Sequence, residues 1–147
     1  MNVIKATISD LNDVSELFNK YRIFYSQPSD LEGAKAFIKE RIKLDESTIF
    51  LARSQDGLPA GFVQLYPIFT SVGMKRKLLL NDLFVAEEFR RHGVGKALMD
   101  QAKKYAQETN AAGILLETGK DNVNAQALYE SVGYEIENNV YFYHLSL

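Results

Sequence analysis

Apolar and polar positions alternate along this chain in a way that predicts strands and helices in turn. Residues 3–8 alternate weakly at a spacing of two, which predicts a first strand. Two segments with apolar residues at helical spacing follow, one capped by Asp10 and one opened by Asp30. Two amphipathic helices in succession are expected to pack against a sheet.

The middle of the chain predicts a β-hairpin and the strand after it. Residues 48–53 and 59–69 have the composition of strands and are joined around Asp56-Gly57, a strong hairpin signal. Residues 78–85 predict the next strand, and residues 93–108 predict the helix that follows it.

The last third predicts a strand, a short helix and a final strand. Residues 113–118 are apolar except for Glu117, which is typical of a buried parallel strand. A short helix over residues 125–132 is expected to end at Gly133, and the aromatic residues in 140–147 favour a strand. The order is that of an α/β protein with a mixed sheet, and residues 1–147 are expected to form a single domain.

Residues 81–98 carry the most specific chemistry, because an apolar strand runs into a basic, glycine-spaced turn and then a helix. Gly93 and Gly95 leave the backbone N–H groups of a helix start unshielded, and the helix dipole favours an anion there. Cationic side chains surround the two glycines: Arg90, Arg91 and Lys96. The pattern predicts a site for a diphosphate, although two glycines can also serve only as a tight helix entry.

Two other nucleotide motifs fit this segment less well. A Walker loop anchored on Gly95-Lys96 would need glycine at position 90 and Ser or Thr at position 97, where the chain has Arg and Ala. A dinucleotide fingerprint finds two of its three glycines and an acid, Glu117, about 20 residues further on. Leu98 replaces the third glycine, and the strand ends too early. A dinucleotide-binding protein stays as a rival interpretation.

The turn pattern Arg90-x-x-Gly93-x-Gly95 is followed by a second pattern, which runs from Asn122 through Ala125, Leu128 and Tyr129 to Gly133-Tyr134. Together they resemble the two signatures of the GNAT acetyltransferase superfamily, Arg/Gln-x-x-Gly-x-Gly/Ala at a helix start and Asn-x-x-Ala-x-x-Leu-Tyr before Gly-Phe/Tyr. The match covers residues 81–134, and the first 75 residues agree only in layout.

The resemblance implies the GNAT fold, a central mixed sheet flanked by about four helices and splayed between its fourth and fifth strands. It also implies acetyl-CoA as cosubstrate, with the backbone of one strand pairing with the pantetheine arm and the basic turn holding the pyrophosphate. Asn122 would hydrogen-bond the pantetheine, or merely cap its own helix. The implied cofactor-binding residues are Leu83, Phe84, Val85, Arg90, Arg91, His92, Gly93, Val94, Gly95, Lys96, Asn122 and Tyr129.

The implied reaction is direct transfer of the acetyl group to a primary amine of a small molecule or peptide, through a ternary complex. Tyr129 would protonate the leaving sulfur, and a backbone N–H near Val85 would stabilise the oxyanion. Glu117 and Asp82 are the candidates for the base, and Glu117 ranks first as the isolated acid of an apolar stretch. Packing for Tyr129, and a structural polar partner in the sheet for either acid, are the alternatives.

The acceptor is less well specified. Aromatic residues on the segments that form the acceptor side in this superfamily can cradle an ammonium by cation–π contact, with Asp30, Asp82 or Glu117 beside it, or can be core or a dimer surface. They are Tyr21, Phe24, Tyr25, Tyr66, Tyr141 and Tyr143. A module that senses acyl-CoA without transferring the acyl group is the alternative from a different functional class.

Composition excludes several classes of chemistry. The chain has no cysteine, so disulfides, thiolate metal sites and a cysteine nucleophile are excluded. His92 and His144 are far apart, and we expect no metal site. The net charge of -2 argues against nucleic acid as a partner. No apolar run reaches about 18 residues, and residues 1–5 lack the long apolar core of a signal peptide, so we expect no membrane association and a cytoplasmic location. A homodimer through the last strand is a family-level expectation.

Overall fold

The computed structural model describes all 147 residues in two compact units, Met1–Glu117 and Thr118–Leu147. The first unit contains a five-stranded sheet and three helices, and the second contains one helix. The strands are β1 (Asn2–Lys5), β2 (Thr48–Arg53), β3 (Pro59–Thr70), β4 (Lys75–Val85) and β5 (Ile114–Leu115). The helices are α1 (Leu11–Phe24), α2 (Leu31–Lys43), α3 (Val94–Glu108) and α4 (Val123–Ser131). That the whole chain acts as one domain stays a prediction.

The sheet runs in the order β1-β2-β3-β4-β5, antiparallel through β4 and parallel between β4 and β5. β5 pairs with β4 only at Leu78 and Leu79, so the rest of β4, through Val85, has no β5 partner along that edge. The predicted mixed sheet and its splay between the fourth and fifth strands are confirmed. The hairpin at Asp56-Gly57 is confirmed as well, and Gly57 has the positive φ of 81° that such a turn requires.

The helices of the first unit cover both faces of the sheet. Phe62 and Phe84 belong to the buried cluster formed with α1 and α2. The neighbouring Gly61 points the other way, since a Cβ built on it would lie 3.3 Å from the Leu98 side chain of α3. The same Cβ would lie 2.6 Å from the Phe84 carbonyl oxygen of β4, so only glycine fits at this position beside β4. Gly61 also leaves room for the Leu98 side chain of α3 to pack closely on the sheet.

The two predicted helix caps differ in outcome. Asp30 caps α2 as expected, since its Oδ1 accepts a 2.9 Å hydrogen bond from the Gly33 N–H. Asp10 stands at the N-cap position of α1, as predicted, but its side chain makes no capping hydrogen bond there, because the chain first makes a short 3₁₀ turn capped by Thr7. The Asp10 carboxylate instead accepts from the Thr7 N–H at 2.9 Å and from the Arg53 guanidinium at 3.1 Å. Thr7 and Asp10 thereby form a capping box one turn earlier than predicted.

Strand lengths are where the sequence pattern was least accurate. β1 stops at Lys5, β4 begins three residues earlier than predicted, and β5 has two residues rather than six. The predicted strand over residues 140–147 is absent, and Tyr141 and Tyr143 are exposed. A strand needs a hydrogen-bonding neighbour, and the second unit, taken by itself, has only α4 as regular structure. No helix of the protein is long and apolar enough to cross a bilayer.

Candidate active site

The turn before α3 leaves its backbone N–H groups without a capping side chain. Gly93 is the N-cap of α3 in the left-handed conformation, with φ 79°, and Arg91 also has a positive φ of 63°. No side chain caps the helix, and its backbone hydrogen bonding begins with Ala97 N–H to Gly93 O at 3.0 Å. The first N–H groups of α3 therefore have no acceptor within the helix and no capping side chain, and the positive end of the helix dipole lies at the same place.

The cationic side chains of this turn already have partners within the protein, which the sequence did not indicate. Arg90 folds back and donates from Nε to the Val85 carbonyl oxygen at 3.0 Å, and its guanidinium lies 5.7 Å from the ring centre of Phe24. Lys96 forms a 2.7 Å ion pair with Asp100 one turn along the exposed side of α3. Each cation keeps N–H donors that these contacts do not use, so both still add positive charge beside the backbone N–H groups of the turn.

The end of β4 presents main-chain groups on the side that β5 leaves uncovered. The Ala86 N–H donates to Ala60 of β3 at 2.9 Å, so position 86 points toward β3. Because main-chain groups alternate along a strand, those of Leu83 and Val85 point to the opposite edge. The Arg90 hydrogen bond to the Val85 oxygen at that edge agrees with this direction. An extended chain can pair there as an added strand.

Asp82 is the buried carboxyl of the first unit, 3% exposed, and it lies opposite Gln64 of β3. Gln64 donates from Nε2 to Asp82 Oδ2 at 2.5 Å, and Asn81 donates from Nδ2 to Oδ1 at 3.0 Å. Burial raises the pKa of the Asp82 carboxyl above its usual value, while hydrogen bonds from Gln64, Asn81 and Tyr21 act in the opposite direction. A buried carboxyl with a raised pKa can accept a proton and later release it.

The residues around Asp82 come from three elements. Tyr21 of α1 contributes its hydroxyl, which also donates to the Asn81 carbonyl oxygen at 3.3 Å. The pairing register of β3 and β4 shifts at this point, so Asn81 is an extra residue on β4. Tyr66 of β3 is close enough for the Asp82 charge, after burial, to help raise its pKa to about 12. Tyr66 is therefore a neutral phenol at physiological pH.

Three of the predicted acceptor aromatics form one cluster at the end of α1. The Tyr25 ring lies 5.0 Å from Tyr21 and 5.2 Å from Phe24, both in edge arrangements. Tyr21 also packs edge-on against Phe84 of β4, at 6.3 Å between ring centres. Phe24 and Tyr25 are more than half exposed. The cluster therefore reaches from the surface to the neighbourhood of Asp82.

Glu117 does not have the environment that ranked it first as a base. The apolar strand that was expected to contain it ends at Leu115, and Glu117 is exposed. Glu117 was expected to be an acid within an apolar strand, and this expectation is wrong. The acid that is buried within a strand is Asp82. Asp30 is occupied at the start of α2, where it caps the helix.

Asn122 and Tyr129 lie in the second unit, Asn122 just before α4 and Tyr129 in the last turn of that helix. Asn122 caps that helix, its Oδ1 accepting from the Ala125 N–H at 3.3 Å. The Tyr129 ring lies 6.2 Å from that of Tyr134, and Gly133 between them has a φ of 98° that ends the helix. The Tyr134 hydroxyl is buried without a hydrogen-bond partner, and burial raises its pKa to about 12. For Asn122, the alternative role as a helix cap is the one observed.

Other predicted contact residues divide between surface and core. His92 is exposed in the turn, whereas Val94 is 1% exposed and anchors α3 below it. The structure contains no cluster of His, Asp or Glu that could hold a metal ion.

Two polar residues linked to Asp82 by a chain of hydrogen bonds were not assigned a role from the sequence. Gln64 is 0% exposed inside an otherwise apolar stretch of β3, and it accepts at Oε1 a 2.8 Å hydrogen bond from the Ser47 hydroxyl. The available signal was a glutamine on the same strand face as Phe62, an inward position that a polar residue occupies only with partners. Ser47 carries no such signal, because its role depends on the fold.

Comparison with known proteins gives consistent matches. The model described as Acetyltransferase (GNAT) family matches residues 11–134. An uncharacterized N-acetyltransferase of Bacillus subtilis strain 168, YhfO, is 45% identical over 147 residues, covering 100% of this chain and 98% of the relative. A probable acetyltransferase of Haemophilus influenzae is 29% identical, covering 100% and 99%. A crystal structure of a probable acetyltransferase matches with a TM-score of 0.96 at 39% identity, covering 100% of this chain and 98% of that one.

Proposed function

Because the chain belongs to the GNAT family of acetyltransferases, we propose that it transfers an acetyl group from acetyl-CoA directly to a primary amine, in a ternary complex. The observation that carries the proposal is the buried Asp82 carboxyl, which directly precedes the end of β4 that has no β5 partner and that leads into the glycine turn before α3. A base, a strand edge for an extended arm and a turn for phosphates thus follow one another along residues 82–96.

The residues of β4 and the turn suit the chemistry of coenzyme A. The main-chain groups of Leu83, and those of Val85 once Arg90 releases its carbonyl oxygen, can pair with an amide-containing arm. The helix start at Gly93 offers N–H donors for a diphosphate, with nothing within 4 Å of the position that a Cβ would take there. Arg90 and Lys96 add positive charge beside these donors. Phe84, Arg91, His92, Val94 and Gly95 complete the proposed binding segment, with Asn122 contacting the pantetheine.

Acetyl-CoA supplies an activated thioester, and the protein has to manage two protons. An alkyl ammonium must lose a proton before its nitrogen can attack, and Asp82 is the proposed acceptor of that proton. Its raised pKa brings the carboxyl closer to the operating pH, which favours proton transfer. A main-chain N–H near Val85 stabilises the oxyanion, and the Tyr129 hydroxyl protonates the leaving sulfur. Exposed Glu117 is the second candidate for the base.

The acceptor is proposed to be a cationic primary amine of a small molecule or peptide. The aromatic cluster of Tyr21, Phe24 and Tyr25 supports this, because ring faces attract an ammonium and the cluster leads from solvent toward Asp82. A cation already lies over Phe24 in the structure, the guanidinium of Arg90. A homodimer and a cytoplasmic location remain parts of the proposal, the former supported by exposed aromatics at Tyr141 and Tyr143.

Titration calorimetry tests the cosubstrate. The folded protein should bind acetyl-CoA, and coenzyme A should compete for the same site. NAD should not compete, since the turn lacks the third glycine of a dinucleotide fingerprint. Binding of NAD in place of coenzyme A would support the dinucleotide alternative, and no binding of acetyl-CoA by folded protein would refute the proposal.

The role of Tyr129 has a matched control in the same unit. Tyr129→Phe should lower kcat by on the order of tenfold to a hundredfold with little change in coenzyme affinity, because it removes only a proton donor. Tyr134→Phe removes a buried hydroxyl that has no hydrogen-bond partner, so its kcat should stay at the wild-type value. Equal kcat for both variants would remove Tyr129 from the chemistry and leave it as a packing residue.

A further inference from the structure

Asp82 accepts one of its hydrogen bonds from the Gln64 side-chain amide, which is itself held by a second hydrogen bond. Gln64 is fully buried, and its two polar atoms have different partners: Ser47 donates to Oε1 at 2.8 Å, and Nε2 donates to Asp82 at 2.5 Å. Ser47 lies just before β2, Gln64 in β3 and Asp82 in β4. A continuous chain of hydrogen bonds therefore crosses three neighbouring parts of the sheet and ends on the carboxyl.

The Asp82 carboxylate sets the direction of this chain, because it only accepts hydrogen bonds and therefore faces the N–H side of the Gln64 amide. An amide turned by half a revolution would face the carboxylate with its oxygen, placing two acceptors together. The Ser47 hydroxyl donates to the other end of the amide, Oε1, and so helps to hold Gln64 in the orientation that offers N–H to Asp82. We infer that Gln64 and Ser47 are positioning residues, which hold the Asp82 carboxylate in one orientation and favour its ionised form. The inference rests on the proposed function only for its catalytic consequence.

The surroundings of Asp82 give the two residues this influence. The titratable groups that face it are Tyr21 of α1 and Tyr66 of β3, and α2 adds Arg41, whose charge acts on Tyr66. No cation compensates the carboxylate, so hydrogen bonds are what oppose the effect of burial. Without the hydrogen bond from Gln64, less offsets the effect of burial on the pKa of Asp82, and the carboxyl keeps its proton to higher pH. A residue with only a packing role would not change that titration.

The test is the titration of Asp82 itself, followed by NMR in protein labelled with ¹³C at aspartate side-chain carboxyls. The Asp82 signal is identified by its absence in Asp82→Asn. The midpoint should move to higher pH in Gln64→Met, and by a smaller step in the same direction in Ser47→Ala. Thr48→Val is the matched control, because Thr48 is as buried as Ser47 and donates to the Tyr105 hydroxyl at 3.0 Å instead. Its midpoint should equal that of the wild type.

Catalysis gives the second readout, measured as kcat against pH with spermidine, L-lysine and kanamycin as amine probes. The acidic limb should shift upward by the same amount as the NMR midpoint, and coenzyme affinity should not change. Unchanged midpoints in both Gln64→Met and Ser47→Ala would overturn the inference, and Ser47→Ala alone decides it if Gln64→Met does not fold. Full activity in Asp82→Asn would instead refute the proposed role of Asp82, while the NMR result would still decide whether Gln64 and Ser47 control its proton.

Discussion

The glycine turn before α3, which we propose binds phosphate, and the Asp82 site lie a few residues apart on the same chain, yet they are formed in opposite ways. The turn is exposed, is formed by consecutive residues, and offers backbone N–H groups whose direction follows from the φ angles of Arg91 and Gly93. The Asp82 site is buried and is formed by side chains of α1, β3 and β4. One is local geometry, and the other is tertiary packing.

We expect this difference to separate coenzyme binding from chemistry. A backbone site tolerates changes in neighbouring side chains, because the N–H groups remain while the turn keeps its shape. A buried carboxylate depends on each hydrogen bond around it, because no water replaces a hydrogen bond that is lost. Changes in the turn should therefore act on coenzyme affinity, and changes around Asp82 should act on turnover and its pH dependence.

The largest expected effect comes from removing the carboxylate. Asp82→Asn should lower kcat by on the order of a hundredfold or more, the usual contribution of a general base, and leave the dissociation constant of acetyl-CoA within about twofold. Glu117→Gln is the control, since Glu117 is exposed beyond β5. Steady-state kinetics and calorimetry on both variants check this, and the reverse ranking would assign the base to Glu117.

A smaller effect is expected from straining the turn. Gly93→Val places a β-branched residue at φ 79°, which costs about 1–2 kcal/mol. If the turn relieves that strain by changing shape, acetyl-CoA should bind roughly five- to thirtyfold more weakly. Gly93→Asn should bind nearly as the wild type does, because Asn tolerates this conformation.

A Cβ at position 93 meets nothing within 4 Å, so the two Gly93 substitutions differ by backbone preference rather than by a clash. Equal affinities of Gly93→Val and Gly93→Asn for acetyl-CoA, measured by calorimetry, would show that the left-handed turn is not what binds the diphosphate.

The smallest effect is expected from the cationic side chains. Arg90→Gln and Lys96→Gln should each weaken acetyl-CoA binding by roughly twofold to fivefold and reduce its dependence on salt, as exposed charges near a helix start do. Lys104→Gln is the matched control, because Lys104 is as exposed as Lys96 and forms the same kind of ion pair with an acid four residues on. Affinity unchanged in all three would leave the diphosphate to the backbone alone.

The sequence predicted best what depends on neighbours along the chain. The hairpin at Asp56-Gly57, the cap at Asp30 and the glycine turn into α3 are local patterns, and each is present. The splayed mixed sheet came from the resemblance of two motifs to a family, and family membership is confirmed over residues 11–134.

What the sequence did not predict depends on residues brought together from a distance. Glu117 was preferred to Asp82 because the apolar run around it suggested a strand, whereas β5 ends two residues earlier. Residues 140–147 have strand composition without a strand. Ser47 and Gln64 are 17 residues apart and act together only because β2 and β3 pair. No local pattern could have connected them to the carboxyl.

The most direct test of the account is acetyl-CoA-dependent release of free thiol, measured with spermidine, L-lysine, kanamycin and a lysine-rich peptide against a reaction without amine. The account predicts release above that control with at least one of these amines, and its loss in Asp82→Asn. Binding of acetyl-CoA by the folded protein with no amine-dependent release from any of them would contradict the proposed transfer and favour a module that only senses acyl-CoA.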